Sequence, residues 1–299
     1  MDPQDGDAPP PLEHALSVFS RMRPRLFGIA YRILGSAAEA EEIVQEVWLR
    51  WQTVAHDTVL DPPGFLATIT TRLAINVAQS ARSQREVYVG PWLPEPVDTS
   101  ADPHLGAERG EALSLAVLWL LERLPPAQRA AFVLREAFEY SYGEISEILQ
   151  TSEANTRQLV SRARKLIADE RRAPVNANEQ ERLLRALISA SQNGDVSELE
   201  TLLAADVVSL SDGGGVAPAA RYPLVGRARV ANMLAALSIR FWPGATLSWT
   251  AANGQVCLLL WRDQTVKALV AAEASAEGVS RMFWIMNPQK LTSVSSSAH

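Results

Sequence analysis

The side chains best placed to do chemistry lie on one short helical stretch. Between Ser152 and Arg172 the chain reads SEANTRQLVSRARKLIADERR. At helical spacing Arg157, Gln158, Ser161, Arg162 and Lys165 fall on one side, while Leu159, Val160, Ala163, Leu166 and Ile167 fall on the other. Amides, hydroxyls and cations donate to phosphate oxygens and to base edges, and Asn155, Thr156 and Arg157 stand near the start of the helix, the end that meets bases in a major groove. Only Glu153 opposes them there. A solvated amphipathic helix in a bundle would share this pattern, so the preceding residues have to discriminate.

They do so through capping. Ser141 with Glu144 three residues later is a capping box, and Ile145, Ile148 and Leu149 give the helix that follows an apolar stripe. Gln150-Thr151-Ser152 leaves room only for a tight corner, with Ser152 able to cap the second helix through its hydroxyl. Two short helices at a fixed corner, the second basic on one side and dry on the other, describe a helix-turn-helix.

The run SYGEISEILQTSEANTRQLVSRARKLIADERR resembles region four of the sigma-70 family of bacterial transcription initiation factors, above all the extracytoplasmic-function group. The resemblance implies that Asn155, Thr156, Arg157, Gln158, Ser161, Arg162 and Lys165 read the minus-thirty-five promoter element. One position departs. The family usually has Gly where Gln150 stands, and a left-handed non-glycine costs about 1 kcal/mol, so a differently built corner is expected.

With 299 residues, 47% of them hydrophobic, the chain can form two or three cored domains. Its formal charge of -6 suits a specific DNA binder with a partner better than a protein that coats DNA, because basic residues are local: Arg72, Arg82 and Arg85 occur without an acid between Gly64 and Arg85, and Arg162, Arg164 and Lys165 cluster. Cys257, the single cysteine, excludes disulfides within the chain and a cysteine zinc site, which fits a reducing cytoplasm. No signal-peptide pattern opens the sequence, and no apolar run approaches the roughly 18 residues needed to span a bilayer. Neither metal nor cofactor is expected.

Residues 1–11, rich in Pro and Asp, read as a disordered tail. Leu26, Ile29, Ala30 and Ile33 mark a helix ended by Gly35, and Ser36 with Glu39 forms a second capping box. In the next helix Ala40, Ile43, Val44, Val47, Trp48 and Trp51 form the core stripe. Its outer surface, with Glu42, Gln45, Glu46 and Arg50, reads from composition as plain solvated carboxylates. AEAEEIVQEVWLRWQ looks like sigma region two, which implies that these four residues contact core RNA polymerase. Asp61-Pro62-Pro63 starts a third helix. DPPGFLATITTRLAINVAQSARSQRE resembles the part of region two that melts the minus-ten element, so Arg72, Asn76, Gln79, Ser80 and Arg82 are implied, as a set, to follow the strand and hold an unstacked base.

Prolines 91, 94, 96 and 103 break the helical pattern over a linker, 87–108. Its opening, YVGPWLPEP, resembles that of the SigJ-like subgroup of these factors, in which a SnoaL-like domain follows region four. Trp92 and Leu93 are expected to pack on a domain. Helices resume from Glu111, and LERLPPAQRAAFVLREAFEYSYGEI looks like the start of region four.

The last part differs in kind. Leu183, Leu184, Leu187 and Ile188 mark a helix stopped near Gly194, and Asp195 with Glu198 caps another. Strands are expected over 207–211, 246–250, 255–261, 266–274 and 279–286, with Asn253-Gly254 as a hairpin turn and a helix over 229–237. A curved antiparallel sheet over helices, enclosing a cavity, follows from that order. It resembles the SnoaL-like (NTF2-like) cone. Two features match the subgroup: Asp212-Gly213-Gly214-Gly215, and Asn287-Pro288-Gln289-Lys290-Leu291. Gln289 replaces the usual Asp, which puts any ion pair at that site in doubt. Asp206, Asp212, Tyr222 and Asp263 could serve a catalytic cone, but each is more simply a turn or strand-end residue, and His299 is the only histidine of this part.

The expectation is therefore a multidomain, non-enzymatic sigma factor: region two over 12–86, linker 87–108, helix-turn-helix region four over 109–174, and an α+β SnoaL-like regulatory domain over 175–299. Core RNA polymerase and promoter DNA are its expected partners. Trp92, Leu93, the Asp212 glycine loop and Asn287, Pro288, Lys290 and Leu291 are expected to meet at one regulatory interface. The alternative is a helix-turn-helix regulator whose cone binds or turns over a small molecule; an unidentified ligand of the cone stays open.

Overall fold

The computed structural model describes residues 11–99 and 114–295. The tail expected over 1–11 therefore falls outside the described residues except Pro11, which opens the first helix; the linker beyond Thr99 and His299 fall outside too.

Helix α1 runs Pro11–Leu34 and stops where Gly35 turns left-handed at φ +69. Helix α2, Ala37–Gln52, starts at Ser36, whose hydroxyl accepts from the Glu39 amide. The second half of the expected capping box is replaced: the linker's Glu95 carboxylate accepts from the Ala37 and Ala38 amides at 2.8 and 3.3 Å, while Glu39 turns toward Arg85. A carboxylate from another segment thus answers the positive end of this helix. Helix α3, Pro62–Glu86, follows, and then α4 (Leu115–Leu121), α5 (Pro126–Glu136), α6 (Tyr142–Leu149) and α7 (Glu153–Glu170). One continuous core joins them: Ile29, Val44 and Leu66 from the first three helices belong to the same buried cluster as Phe132, Ile145 and Val160 from the later ones.

The C-terminal part begins with α8 (Ala177–Asn193) and α9 (Val196–Leu202), followed by β1 (Leu203–Asp212), β2 (Leu224–Val225) and α10 (Arg227–Arg240). Strands β3 (Thr246–Ala252), β4 (Gln255–Arg262), β5 (Thr265–Ser275) and β6 (Gly278–Ile285) complete a six-stranded sheet of order β2-β1-β6-β5-β4-β3, and a short α11 (Thr292–Ser295) closes the chain. The sheet is mixed, not antiparallel throughout. β1 and β6 pair in parallel, because α10 and the three successive hairpins β3–β4, β4–β5 and β5–β6 intervene before the chain returns beside its own first strand. Register shifts in the β1–β6, β4–β5 and β5–β6 pairs are the bulges that let it curve.

Alternating residues on these strands serve two different cores. Leu258, Leu260, Val270, Met282 and Trp284 face Leu183, Leu184, Leu187, Ile188, Val230 and Leu234 of the helices. Phe241, Trp242 and Trp284 meet edge-on or tilted, with ring centroids 5.1 to 6.2 Å apart. Leu259, Leu269, Ala271, Phe283 and Ile285, on the opposite side, cluster with Leu93, Leu115, Ala116, Leu291 and Val294. The back of the sheet is thus roofed by the linker and α4 instead of meeting water.

Candidate nucleic-acid interface and linker junction

The corner between α6 and α7 is held by three local devices. Ser141 and Glu144 complete their reciprocal capping box, Ser152 accepts from the Asn155 amide, and Gln150 takes the left-handed conformation at φ 52, ψ 49. A different corner was expected for a non-glycine residue. The chain keeps the glycine-like geometry and bears its cost of about 1 kcal/mol. The Glu144 carboxylate, bonded to the hydroxyl and amide of Ser141, is held below the usual carboxylate range.

Helix α7 buries Thr156, Val160 and Ala163. Asn155, Arg157, Gln158, Ser161, Arg162 and Lys165 are exposed together. Thr156 is the correction: it is wholly buried, and its hydroxyl donates to the Ser152 carbonyl at 3.1 Å, so it supports the helix start and presents nothing outward. It lies three and four residues from the apolar Leu159 and Val160, on the inward stripe. Arg157 is ion-paired with Glu153 and lies over the Tyr142 ring.

On α3, Asn76, Gln79 and Ser80 are exposed on one stretch; the side chain of Arg82 lies outside the described residues. Arg72 is separated from them by its bonding. Its guanidinium donates to the carbonyls of Ile148 at 2.9 Å and Glu147 at 3.1 Å, in the last turn of α6. On α2, Glu42, Gln45, Glu46 and Arg50 share the outer side, where Arg50 meets Glu46 at 2.7 Å and Leu49 is 58% exposed.

The interdomain residues converge on one carboxylate. Asp212, at the end of β1 and fully buried, accepts from the Tyr88 hydroxyl at 2.6 Å, the Leu93 amide at 2.9 Å, the Gly214 amide at 3.1 Å and the Lys290 ammonium at 2.7 Å. Lys290 also donates to the Leu93 carbonyl and lies 3.9 Å from the centroid of the Trp92 ring, which Arg85 approaches at 3.7 Å. Asn287 donates to the Tyr88 hydroxyl at 3.0 Å. The glycines are fitted to this: a Cβ on Gly213 would stand 2.4 Å from the Ala217 carbonyl oxygen, and one on Gly214 would overlap Asn287. Pro288 opens the turn that presents Lys290, and Leu291 is buried behind it. Gln289 is exposed, so its departure removes nothing: the anion of the pair is Asp212. Burial pushes the Lys290 ammonium down to about 8 against the pull of Asp212, and burial with the neighbouring Asp212 raises the Tyr88 hydroxyl.

A second knot adjoins it. Asn253, left-handed at φ 53, accepts from the Val97 amide at 3.0 Å and donates to Tyr31 at 2.7 Å; the Tyr31 hydroxyl donates to the Glu95 carbonyl at 2.7 Å. The linker is therefore bonded to α1 and α2 on one side and to the cone on the other. Tyr31, Tyr88, Glu95 and Asn253 were not singled out from the sequence. Tyr88 and Glu95 lie inside the quoted YVGPWLPEP run, and Asn253 reads simply as a turn residue. Of the residues considered for catalysis, Asp212 is consumed by this junction, Asp206 is paired with Arg172, Tyr222 is 82% exposed, and Asp263 occupies the β4–β5 turn.

No described helix is long and apolar enough to cross a membrane. The family described as Sigma-70 region 2 matches residues 18–85, and Sigma-70, region 4 matches residues 114–167. The ECF RNA polymerase sigma factor SigJ of Mycobacterium tuberculosis (strain ATCC 25618 / H37Rv) is 39% identical over 237 residues, 77% of this chain and 75% of that protein. A probable ECF RNA polymerase sigma factor, SigI, of M. tuberculosis (strain CDC 1551 / Oshkosh) is 30% identical over 275 residues, covering 90% and 92%. The crystal structure of M. tuberculosis SigJ matches with a TM-score of 0.76 at 33% identity, over 93% of this chain and 98% of that one.

Proposed function

This chain belongs to the extracytoplasmic-function sigma factors of the sigma-70 family, which direct transcription initiation, and we propose that its C-terminal cone regulates that activity in cis. Core RNA polymerase would be met by Glu42, Gln45, Glu46 and Arg50, the minus-ten strand by α3, and the minus-thirty-five element by Asn155, Arg157, Gln158, Ser161, Arg162 and Lys165. The observation that carries the regulatory reading is Asp212: one cone carboxylate holds the linker through the Tyr88 hydroxyl and the Leu93 amide. A domain joined by a short linker acts at high effective concentration, so modest contacts suffice to bias the spacing of the two DNA-facing modules. While the junction is closed, Arg72 is spent on the carbonyls of α6 and is withheld from a strand.

Run-off transcription with core polymerase tests this. Asp212→Asn, and a chain truncated before Asn287, are expected to raise transcript yield severalfold over the full-length protein. Equal transcription together with equal promoter affinity would remove the proposal.

A further inference from the structure

Between Asp212 and Asp263 the chain contains no acidic residue, yet it places Arg221, Arg227, Arg229, Arg240 and Arg262 there. Arg262 is used internally, donating to the carbonyls of Arg240, Phe241 and Pro243 at the end of α10. Arg221, Arg227, Arg229 and Arg240 are exposed and make no hydrogen bond or ion pair among the described residues. That is unusual for this molecule. Most of its other exposed arginines are answered by a carboxylate, as in Arg23–Glu41, Arg50–Glu46, Arg164–Glu136, Arg182–Glu179 and Arg185–Glu181. Among the described residues the other unpaired cations are Arg162 and Lys165 of α7, with Arg21 and Lys267.

Stability does not explain the placement. Arg227 and Arg229 occupy the first turn of α10, where a cation opposes the helix dipole, and Gly226 supplies no side-chain cap to the free amides there. Glu198 and Glu200 of the adjacent α9 form no ion pair with them. Arg229 and Arg240 are eleven residues apart on the outward side of α10, about 16 Å along its axis, enough to reach phosphates on both sides of a major groove about 12 Å wide.

We propose that these unpaired cone arginines, with Arg229 and Arg240 on one side of α10 at their centre, dock on the phosphate backbone of duplex DNA next to the element held by the recognition helix. The cone then adds sequence-independent affinity to the complex besides regulating it. This inference rests on the reading of α7 as a promoter-binding helix.

The test titrates full-length protein, bound to core polymerase, with labelled promoter duplex and with a shuffled duplex across a salt series. The variant R221Q/R227Q/R229Q/R240Q is expected to flatten the slope of log affinity against log salt by about two to four, and to weaken both duplexes by about tenfold or more at fixed salt. The corresponding fourfold Arg→Lys variant is expected to keep both values. An unchanged slope in a protein with unchanged melting overturns the proposal. So does a loss confined to affinity for core polymerase, which would assign the face to an acidic protein surface. Gln158→Ala in the same assay separates the two readings: if it leaves the preference for promoter over shuffled duplex intact, recognition by α7 fails, whereas the salt slope of the fourfold variant still decides the cone.

Discussion

Asp212 is where most of this architecture can be undone by one atom. Its two carboxylate oxygens accept from Tyr88, Leu93, Gly214 and Lys290 at a site closed to water, so an amide in its place would bring N–H groups against donors and leave the Lys290 ammonium buried without an anion. Removing one partner of a buried pair costs about 3 to 5 kcal/mol. Asp212→Asn is therefore expected to lower the melting temperature and to make the 87–99 segment sensitive to limited proteolysis. Lys290→Met also leaves a buried charge without its partner, but the Asp212 carboxylate keeps the Tyr88, Leu93 and Gly214 donors, so the loss should be smaller. On the exposed side of α7, the promoter-reading proposal expects Gln158→Ala to leave melting unchanged while costing about 1 to 3 kcal/mol of discrimination at one base pair, read as competition between single-substitution duplexes.

Two features of the helix-turn-helix belong to the scale of the element. Gln150 holds the left-handed corner without being glycine, and a β-branched residue there meets its own backbone more severely. Gln150→Val is expected to destabilise the element by about 1 to 2 kcal/mol, with Gln150→Asn tolerated; chemical denaturation of the two variants measures it. Glu144 sets an acid limit on the same element. Its folded carboxyl lies below the unfolded value, so its contribution is complete above pH about 4.3 and is lost as the pH falls through the lower folded value. In Glu144→Gln, which lacks the charge at every pH, helicity of the region should be lower than wild type at pH 6, and the difference should close as the pH is taken to 3. The capping boxes themselves were legible because Ser-x-x-Glu acts within one turn. The carboxylate on the first amides of α2 was not legible for the opposite reason: Glu95, which accepts from Ala37 and Ala38, is far along the chain from them.

For the whole molecule, the linker is the segment that feels every other part. The amide of Leu93 is bonded to Asp212 and that of Val97 to Asn253, so both should exchange slowly in the free protein. If polymerase opens the junction, hydrogen exchange with core enzyme bound is expected to speed at Leu93 and Val97 while the β5–β6 amides stay protected. Equal protection at all of these sites would mean that the closed arrangement persists on the enzyme. The single core shared by α1–α3 and α5–α7 points the same way, since two modules reading separate DNA elements would have to part along that surface.

The sequence by itself determined most of what is decided within a few residues: the caps of the helix-turn-helix, though not the left-handed form of its corner, the outward basic side of α7, the hairpin at Asn253-Gly254, and the motifs that marked the family. Only the tertiary structure decided that β1 and β6 run parallel, that Thr156 is buried, and that Arg72 is held by α6 while Asp212 gathers Tyr88, Leu93 and Lys290. Local spacing sets which side of a helix or strand is apolar. It does not set which distant segment comes to cover that side, because the choice is made by burial and by the hydrogen bonds that buried polar groups must find once the chain is compact.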